Sequence, residues 1–499
     1  MTFLSRRSAG VLLSIASLPS PYGIGTMGRE AFRFLDFLVS AGQRCWQILP
    51  LEPPGLGDSP YQTYSAFAGN PLYIDLDFLA DAGLLDRRRL QSYAWSQSED
   101  QVRYAQVRAG RNIFLREAWT AARGTLETEL EHFRVENRIW LDSYACFMVF
   151  RSRFAGLQWM HWPAPAERFS PEDTLSYIFS KPDLRDEFFY QVFLQKLFCD
   201  QWTALAQKAR EKGITFIGDL PIYVSLDSAD VWAHPELFRI NADGTPAAVS
   251  GVPPDSFSEN GQVWNNPLYN WQEMKRQGYS WWIARVRAAG RRCPVLRFDH
   301  FRGLSSFWSV PYGEDSARNG HWEPGPGLAF LSSLSEACPH LSFIAEDLGY
   351  EDAATRALLQ ACGWPGMKIL EFGFTGERPN DHLPHRYPAE CVCYPGTHDN
   401  PPIKQWLEEM SPERFHFAKD YMGLSTEEGF IRGVLRTGLS SPARLFIAQM
   451  QDWLELGKEA RINVPGTVGE RNWTWRLHPG QLTEDLQHRM AYLTSLFGR

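Results

Sequence analysis

Four acidic residues each follow or end a short apolar segment, and this arrangement constrains the fold more than any other feature of the chain. They are Asp219, Asp299, Glu346 and Asp399. Carboxylates at the C-terminal ends of parallel strands converge on one face of a β/α barrel, whereas carboxylates placed at random would lie mostly on solvated helix faces. The pattern therefore predicts a barrel enzyme whose catalytic groups are carboxylates.

The rest of the chain alternates between strand-like and helix-like segments. Apolar residues at helical spacing from Ala31 to Leu38 predict a helix that stops at Gly42, between two short strand-like runs. A second helical face, from Leu194 to Ala209, ends at Gly213 before another apolar run. Eight strands are expected in all: Val11–Ala16, Cys45–Pro50, Ile214–Ile217, Val295–Phe298, Leu341–Ala345, Met367–Phe372, Cys391–Pro395 and Arg461–Val464.

Two long stretches break this alternation and read as insertions. The first covers residues from about 51 to 182 and is helical, Trp-rich and Arg-rich, and the second, from about 221 to 278, is punctuated by Gly and Pro. A chain of 499 residues could hold either a large barrel with insertions or two to three ordinary domains. We expect an α/β protein, with residues 1–499 forming one (β/α)8 TIM barrel that carries inserted subdomains.

Composition narrows the class of partner. The chain has 50 Lys and Arg against 58 Asp and Glu, a net charge of −8, which gives no electrostatic reason to expect nucleic acid or an anionic membrane. Aromatic residues make up 14% of the chain, with 19 Trp and 18 Tyr. Most of these rings are expected in the core, but flat rings with polar edges also suit the faces of sugars.

The cysteines and the N-terminus bear on location. The eight cysteines are dispersed and include no Cys-x-x-Cys pair, which favours reduced thiols in a cytoplasmic protein over a disulfide framework or a zinc site. Arg6-Arg7 before an apolar run resembles a twin-arginine or Sec signal. A first barrel strand explains the same residues, and no other stretch approaches the roughly 20 apolar residues of a membrane span.

Several longer motifs resemble those of the 4-α-glucanotransferases called amylomaltases or disproportionating enzymes, which belong to the α-amylase clan. The resemblance runs from about Ala9 to Leu477, with the motifs in the family's order. The matching segments are Gly10–Leu13, Ser17–Gly25, Asp58–Gln62, Ser65–Pro71, the loop from Gly251 to Trp271 and the four acidic segments.

This resemblance implies a retaining mechanism and assigns the acidic residues. Asp299 matches the nucleophile, Glu346 the general acid/base, and Asp399 a third carboxylate that binds sugar hydroxyls and stabilises positive charge. Retention needs two carboxyl groups about 5–5.5 Å apart. The family needs no metal and no organic cofactor, and none is expected here.

The resemblance also implies residues that contact substrate. Arg297 lies two residues before Asp299, on the same face of its strand, and can hold that carboxylate ionised and oriented. His398 is placed to hydrogen-bond a glucose unit, Tyr61 to stack near the scissile bond, and Asp219 to support the site. The remaining candidates are Asp255 and Trp264 in the loop expected over the cleft, together with His300, Phe372 and Asn400.

Each assignment has an alternative. Arg-x-Asp is often an ordinary ion pair, His-Asp-Asn a turn, and Gly-Asp-Leu-Pro a strand-ending turn. Asp347 could be the exposed acid in place of Glu346, although adjacent strand residues point to opposite faces. Trp264 could instead be an anchor that packs under its loop.

Three positions depart from the family pattern without removing a catalytic carboxylate. Glu371 stands where Gln is common, Pro401-Pro402 follow Asn400 where polar residues are usual, and Glu470-Arg471 interrupt a segment that is often Gly-rich. An additional acid at Glu371 would raise the pKa of neighbouring carboxyls.

The expected activity is cleavage of an α-1,4 bond in a maltooligosaccharide or a starch-like or glycogen-like glucan, followed by transfer to the 4-hydroxyl of an acceptor glucose or oligosaccharide. A hydrolase of the same clan would use the same residues with water as the acceptor. A non-catalytic glucan-binding barrel would keep the aromatic residues. The intact set of Arg297, Asp299, Glu346 and Asp399 argues against the last alternative.

Overall fold

A computed structural model describes residues 4–95, 98, 100–254, 258–349, 352–376, 380–469 and 471–499. Three residues lie outside this described part: Asp255 and Phe257, in the loop expected over the cleft, and Glu470. The described part of the chain contains twelve strands: β1 Ser8–Leu12, β2 Cys45–Gln47, β3 Thr215–Leu220, β4 Ala248–Val252, β5 Gln262–Pro267, β6 Val295–Phe298, β7 Ser306–Pro311, β8 His321–Pro324, β9 Ser342–Ala345, β10 Gly366–Ile369, β11 Cys391–Tyr394 and β12 Leu445–Gln449.

Helices connect these strands. Over the described residues they are α1 Arg29–Ser40, α2 Leu76–Asp81, α3 Arg87–Ser92, α4 Tyr104–Ala122, α5 Glu127–Arg153, α6 Pro171–Phe179, α7 Pro182–Glu211, α8 Ala229–Ala233, α9 Trp271–Arg276, α10 Ser280–Arg292, α11 Gly327–Ala337, α12 Ala353–Cys362, α13 Ile403–Glu408, α14 Pro412–Met422, α15 Phe430–Ser440, α16 Met450–Trp453 and α17 Glu484–Leu496. None of these helices is both long enough and apolar enough to cross a membrane.

Eight of the strands form one parallel sheet in the order β10-β11-β12-β1-β2-β3-β6-β9. A backbone hydrogen bond of 2.9 Å from Ala345 to Pro365 brings the two end strands together, so the sheet is nearly closed. Every strand of the sheet contributes to a buried cluster inside it, formed by Leu12, Cys45, Ile217, Val295, Ile344, Met367, Ile369, Val392, Tyr394, Leu445 and Ile447. The predicted (β/α)8 barrel is confirmed.

The expected order of the barrel is right except at its last strand. Residues 461–464 form no strand, and β12 lies earlier, at Leu445–Gln449, inside a stretch expected to be helical. All five residues of β12 are buried. A short apolar run that is buried on both faces lacks the alternation of a half-exposed strand, so periodicity alone does not separate it from a buried helix.

Between β2 and β3 the chain forms helices α2 to α6 and the 30-residue helix α7, which packs along α5 and continues toward β3. The second excursion contributes β4 and β5 to an antiparallel sheet of order β5-β4-β7-β8. Strands β7 and β8 follow β6, so this sheet joins segments that come before and after Asp299. The sequence did not predict that β7 and β8 join this sheet, because their partners β4 and β5 are distant from them in the chain.

Candidate active site

The strand register places the acidic residues at one end of the barrel. Asp219 pairs with Arg297 across β3 and β6, and Phe298 pairs with Ala345 across β6 and β9. Asp299 and Glu346 are the next residues of neighbouring strands. Since adjacent strands lie about 4.8 Å apart, the two side chains that follow them emerge close together.

Arg297 links two of the carboxylates. Its Nη1 atom lies 2.8 Å from both carboxylate oxygens of Asp219 and 2.8 Å from Oδ1 of Asp299. Burial raises the pKa of Asp219, and the Arg297 guanidinium opposes that effect. Arg297 itself is 2% exposed, and the neighbouring Asp219 and Asp299 carboxylates keep it charged by holding its pKa above the usual value. A buried cation in this position pairs with the Asp299 carboxylate and fixes its orientation.

Glu346 sits in a drier environment than Asp299. Its two oxygens accept hydrogen bonds from the backbone amides of His300, at 2.8 Å, and Leu348, at 2.9 Å. Burial raises the pKa of Glu346 to about 8, with a further contribution from Asp299 and opposition from Arg297. Below that pH Glu346 keeps a proton, while Asp299 beside it contacts the Arg297 cation, and this is the pairing that acid/base and nucleophilic roles require.

His300 reaches Glu346 through an unusual backbone conformation. Its φ angle is 49°, in the left-handed region that non-glycine residues rarely occupy. The imidazole packs edge to face against Trp264, with ring centroids 4.9 Å apart, and burial lowers the pKa of His300 to about 4. The side chain is therefore neutral, and its main-chain conformation aims the amide at the carboxyl of Glu346.

A second chain of contacts crosses the mouth of the barrel. The hydroxyl of Tyr61 donates to Oδ2 of Asp219 at 2.7 Å and lies 2.8 Å from Nε2 of His398. Because that hydroxyl has one proton, the contact assigns the His398 proton to Nε2. The Tyr61 and His398 rings are stacked, with centroids 5.4 Å apart. Tyr61 thus joins the β3 carboxylate to the segment that follows β11.

Asp399 is held by residues that the sequence analysis did not identify. The Asn463 amide donates to its Oδ1 at 2.7 Å, and the Arg461 guanidinium donates to its backbone oxygen at 3.1 Å. His398 Nε2 lies 3.4 Å from Oδ2. Arg461 and Asn463 lie within residues 461–464, where the sequence predicts a strand and the structure has none. The polar residues alternating with Ile462 and Val464 were the available signal.

The other predicted residues occupy distinct places. Asn400 turns its side-chain oxygen back onto Thr397, accepting from its amide and hydroxyl at 3.0 Å each. Phe372 lies in the turn after β10 and packs edge to face on His382. Asp347 accepts a hydrogen bond from the Met367 amide at 2.7 Å, so it is engaged with the scaffold.

Trp264 lies on β5 at the edge of this site and is partly exposed. Its indole nitrogen donates to Oε1 of Gln262 at 3.1 Å, and its backbone oxygen accepts from the Gln62 amide at 3.3 Å. Gln62 directly follows Tyr61, so the strand that carries Trp264 is tied to the segment that carries Tyr61. The indole thereby forms one wall of the cleft, beside His300.

A cavity opens next to Tyr61. Its lining includes Pro60, Glu52, Tyr104, Trp473 and Asn70. The Trp473 ring lies 5.7 Å from that of Tyr61, and its residue also has a left-handed φ of 65°. The free volume of this cavity is about 20 Å³, which is room for an ordered water but not for a pyranose ring. Within the described residues, no group of three or more His, Cys, Asp or Glu side chains is arranged to hold a metal ion.

The chain and its overall structure are similar to those of known proteins. The sequence model of the 4-alpha-glucanotransferase family matches residues 13–483. The chain is 41% identical to a 4-alpha-glucanotransferase of Clostridium butyricum, over 98% of this chain and 100% of the relative. It is 41% identical to a 4-alpha-glucanotransferase of Thermus thermophilus, over 96% of each. The structure superposes on an amylomaltase from Streptococcus agalactiae in complex with acarbose, with a TM-score of 0.95 and 38% identity, covering 99% of this chain and 100% of the other.

Proposed function

Since this chain belongs to the 4-alpha-glucanotransferase family, we propose that Asp299, Glu346 and Asp399 carry out its reaction as nucleophile, general acid/base and third carboxylate. The enzyme transfers a segment of an α-1,4-glucan to the 4-hydroxyl of an acceptor sugar through a covalent glycosyl-enzyme intermediate. The observation that carries the assignment is the pairing of an Arg297-bound Asp299 with a buried, protonated Glu346 on the next strand.

The first half of the reaction forms the intermediate. The ionised Asp299 oxygen attacks the anomeric carbon while Glu346 gives its proton to the departing glycosidic oxygen. Arg297 holds the Asp299 carboxylate in place until the bond forms. Asp399 accepts hydrogen bonds from sugar hydroxyls and faces the positive charge that develops on the ring. Its contact with Asn463 orients the Asp399 carboxylate for this role.

The second half reverses these roles. Glu346, now ionised, takes the proton from the 4-hydroxyl of the acceptor, whose oxygen attacks the anomeric carbon and releases Asp299. Maltooligosaccharides and longer α-1,4-glucans serve as donor, and glucose or an oligosaccharide as acceptor. His398 and Tyr61 hold the sugar at the reacting bond, and Trp264 and His300 face the acceptor.

We also propose that residues 1–499 act as one catalytic barrel with both excursions attached, because helix α7 runs from the first excursion into the barrel without a break. Phe372, in the turn after β10, completes the sugar-binding surface. A cytoplasmic location is supported by the eight free thiols, six of which are buried.

Incubation with maltotriose alone separates the alternatives. Transfer converts two molecules of maltotriose into one shorter and one longer oligosaccharide, such as glucose and maltopentaose. We expect products longer than maltotriose to form at the same initial rate as glucose and maltose together, resolved by chromatography. Products that are all shorter than maltotriose would show a hydrolase, and unchanged maltotriose would show a binding protein.

Transfer and hydrolysis share the intermediate, so an acceptor sugar must outcompete water at about 55 M through binding and orientation. We expect Trp264→Ala to lower the ratio of transfer to hydrolysis about 3- to 10-fold. This change corresponds to the loss of one stacking contact, which contributes about 0.5–1.5 kcal/mol. Gln62 holds the backbone of Trp264, so the strand remains in place. The measurement is free glucose produced per glucanyl group transferred.

Tyr492→Ala is the matched control, since Tyr492 is an exposed aromatic on α17, which packs on α1 outside the barrel. Its ratio is expected to equal that of the parent. Equal losses of transfer and hydrolysis in Trp264→Ala, with acceptor affinity unchanged, would make Trp264 a packing anchor and remove it from the acceptor site.

A further inference from the structure

Glu371 is a buried acid whose position the reaction scheme leaves unexplained. It lies in the turn Leu370–Phe374 after β10 and is 4% exposed. Its backbone amide donates to the Pro395 oxygen at 3.2 Å, which ties this turn to the end of β11. The segment that follows Pro395 carries His398 and Asp399. Glu371 therefore lies directly behind the loop that supplies the third carboxylate.

The carboxyl of Glu371 packs against that loop without space to spare. A methyl group added at Gly396 would lie 2.8 Å from Oε1 of Glu371 and 2.8 Å from Cβ of Asn400. The side chain of Asn400 approaches the same point at Gly396, and its oxygen holds Thr397. The loop is thus clamped from inside by Asn400 and from behind by Glu371.

The charges around Glu371 favour its neutral form. Asp452 on α16 is 1% exposed and accepts a hydrogen bond from the Ile403 amide at 2.8 Å, and Glu409 follows α13. The positive neighbour is Arg461, whose guanidinium also donates to the Asn463 and Asp399 backbone oxygens. Oε1 of Glu371 and Oδ2 of Asp452 have no hydrogen-bond partner among the described residues. Arg461 is the cation beside Glu371, and the buried carboxyl of Asp452 opposes a negative charge on Glu371.

We propose that Glu371 is a positioning residue, whose buried carboxyl holds the Gly396–Asn400 loop so that His398 and Asp399 face the substrate. The proposal rests on the role assigned to Asp399 above. Burial and the neighbouring Asp452 raise the pKa of Glu371 well above its ordinary value, and burial raises the pKa of Asp452 to about 7. The surroundings of Glu371 therefore favour its neutral form.

Loss of that proton has a defined consequence. An ionised Glu371 would face the Asp452 carboxylate in a dry environment, and repulsion would push the loop away. Since the folded-state pKa is raised above the unfolded value, the stabilising contribution of the neutral form is present at low pH and is lost as pH rises through the folded pKa. Ionisation of Glu371 should therefore lower activity as pH rises, in addition to the ionisation of Glu346.

The test compares Glu371→Gln with Glu371→Ala. Gln keeps the shape and cannot ionise, whereas Ala removes the clamp. We expect Glu371→Ala to lower kcat for maltooligosaccharide transfer about 10- to 100-fold, as for a misplaced reacting group, with a smaller change in KM. Glu371→Gln should restore kcat to within about threefold of the parent, and its kcat/KM should fall with a single alkaline ionisation where the parent shows two.

Two outcomes would overturn the proposal: an equal loss of kcat in Gln and Ala variants, or the same number of alkaline ionisations in the parent and Glu371→Gln. The pH profile of Glu371→Gln decides the question even if Glu371→Ala does not fold. Asp399→Asn tests the underlying assignment separately. Full activity in that variant would refute the role of Asp399, whereas a large loss there with no effect at Glu371 would refute the clamp alone.

Discussion

Replacing Asp299 by Asn should lower kcat for glucan transfer by at least about 10⁴-fold, because the neutral amide cannot form the glycosyl-enzyme bond. Arg297 remains paired, since its Nη1 atom also contacts both oxygens of Asp219 at 2.8 Å. The fold and the binding of oligosaccharide should therefore survive. Quenched samples should show no glucanyl adduct on the protein by intact-mass spectrometry, while calorimetry still detects maltooligosaccharide binding.

Asp75→Asn provides the matched control for this variant. Asp75 is a buried aspartate that caps helix α2, and Asn is an equally good cap. It should retain parental activity. An active Asp299→Asn preparation, shown by mass to be free of deamidated protein, would refute the nucleophile assignment.

Replacing Glu346 by Gln should lower kcat on maltooligosaccharides about 10²- to 10⁴-fold, the range for loss of a general acid/base. A glucosyl fluoride donor should lessen the defect of the first step, because fluoride leaves without being protonated. The second step would remain slow for lack of a base. The glycosyl-enzyme should therefore accumulate in this variant with the fluoride donor, again detected by intact mass.

The pH dependence follows from the same group. Burial raises the pKa of Glu346 to about 8, so the acid is protonated below that pH and the parental kcat/KM should fall as pH rises through it. With the fluoride donor, the first step in Glu346→Gln should lack this ionisation. Asp347→Asn is the control for the neighbouring acid and should cost less than about tenfold, since its carboxyl accepts from Met367 inside the scaffold. A larger loss in Asp347→Asn than in Glu346→Gln would exchange the two assignments.

The placement of the acidic residues was predictable because it depends on a local pattern. Asp299 directly follows an apolar strand, and β/α alternation brings such strand ends to one face. The same reasoning placed Arg297 on the face of Asp299, and the structure joins them at 2.8 Å. Roles for these residues came from the resemblance to a family, since a pattern of strands and acids does not by itself select a reaction.

The last strand shows where local reasoning failed. Leu445–Gln449 is buried on both faces and lacks alternation, while the extended residues near Arg461 mimic a strand. The sheet partners β11 and β1 decide between these segments, and both lie far from β12 in the chain. The antiparallel sheet that joins β4 to β7 was missed for the same reason.

The sequence by itself determined the barrel, the four acidic positions and the family, because each is written in short segments whose order along the chain carries the information. Only the tertiary structure decided which backbone and side-chain groups contact each acidic residue. The left-handed His300 amide on Glu346, the Asn463 amide on Asp399 and the Glu371 carboxyl behind Asn400 are contacts between segments that packing brings together. Burial raises the pKa of Glu346 and of Glu371, and burial is a property of the folded chain rather than of any one segment.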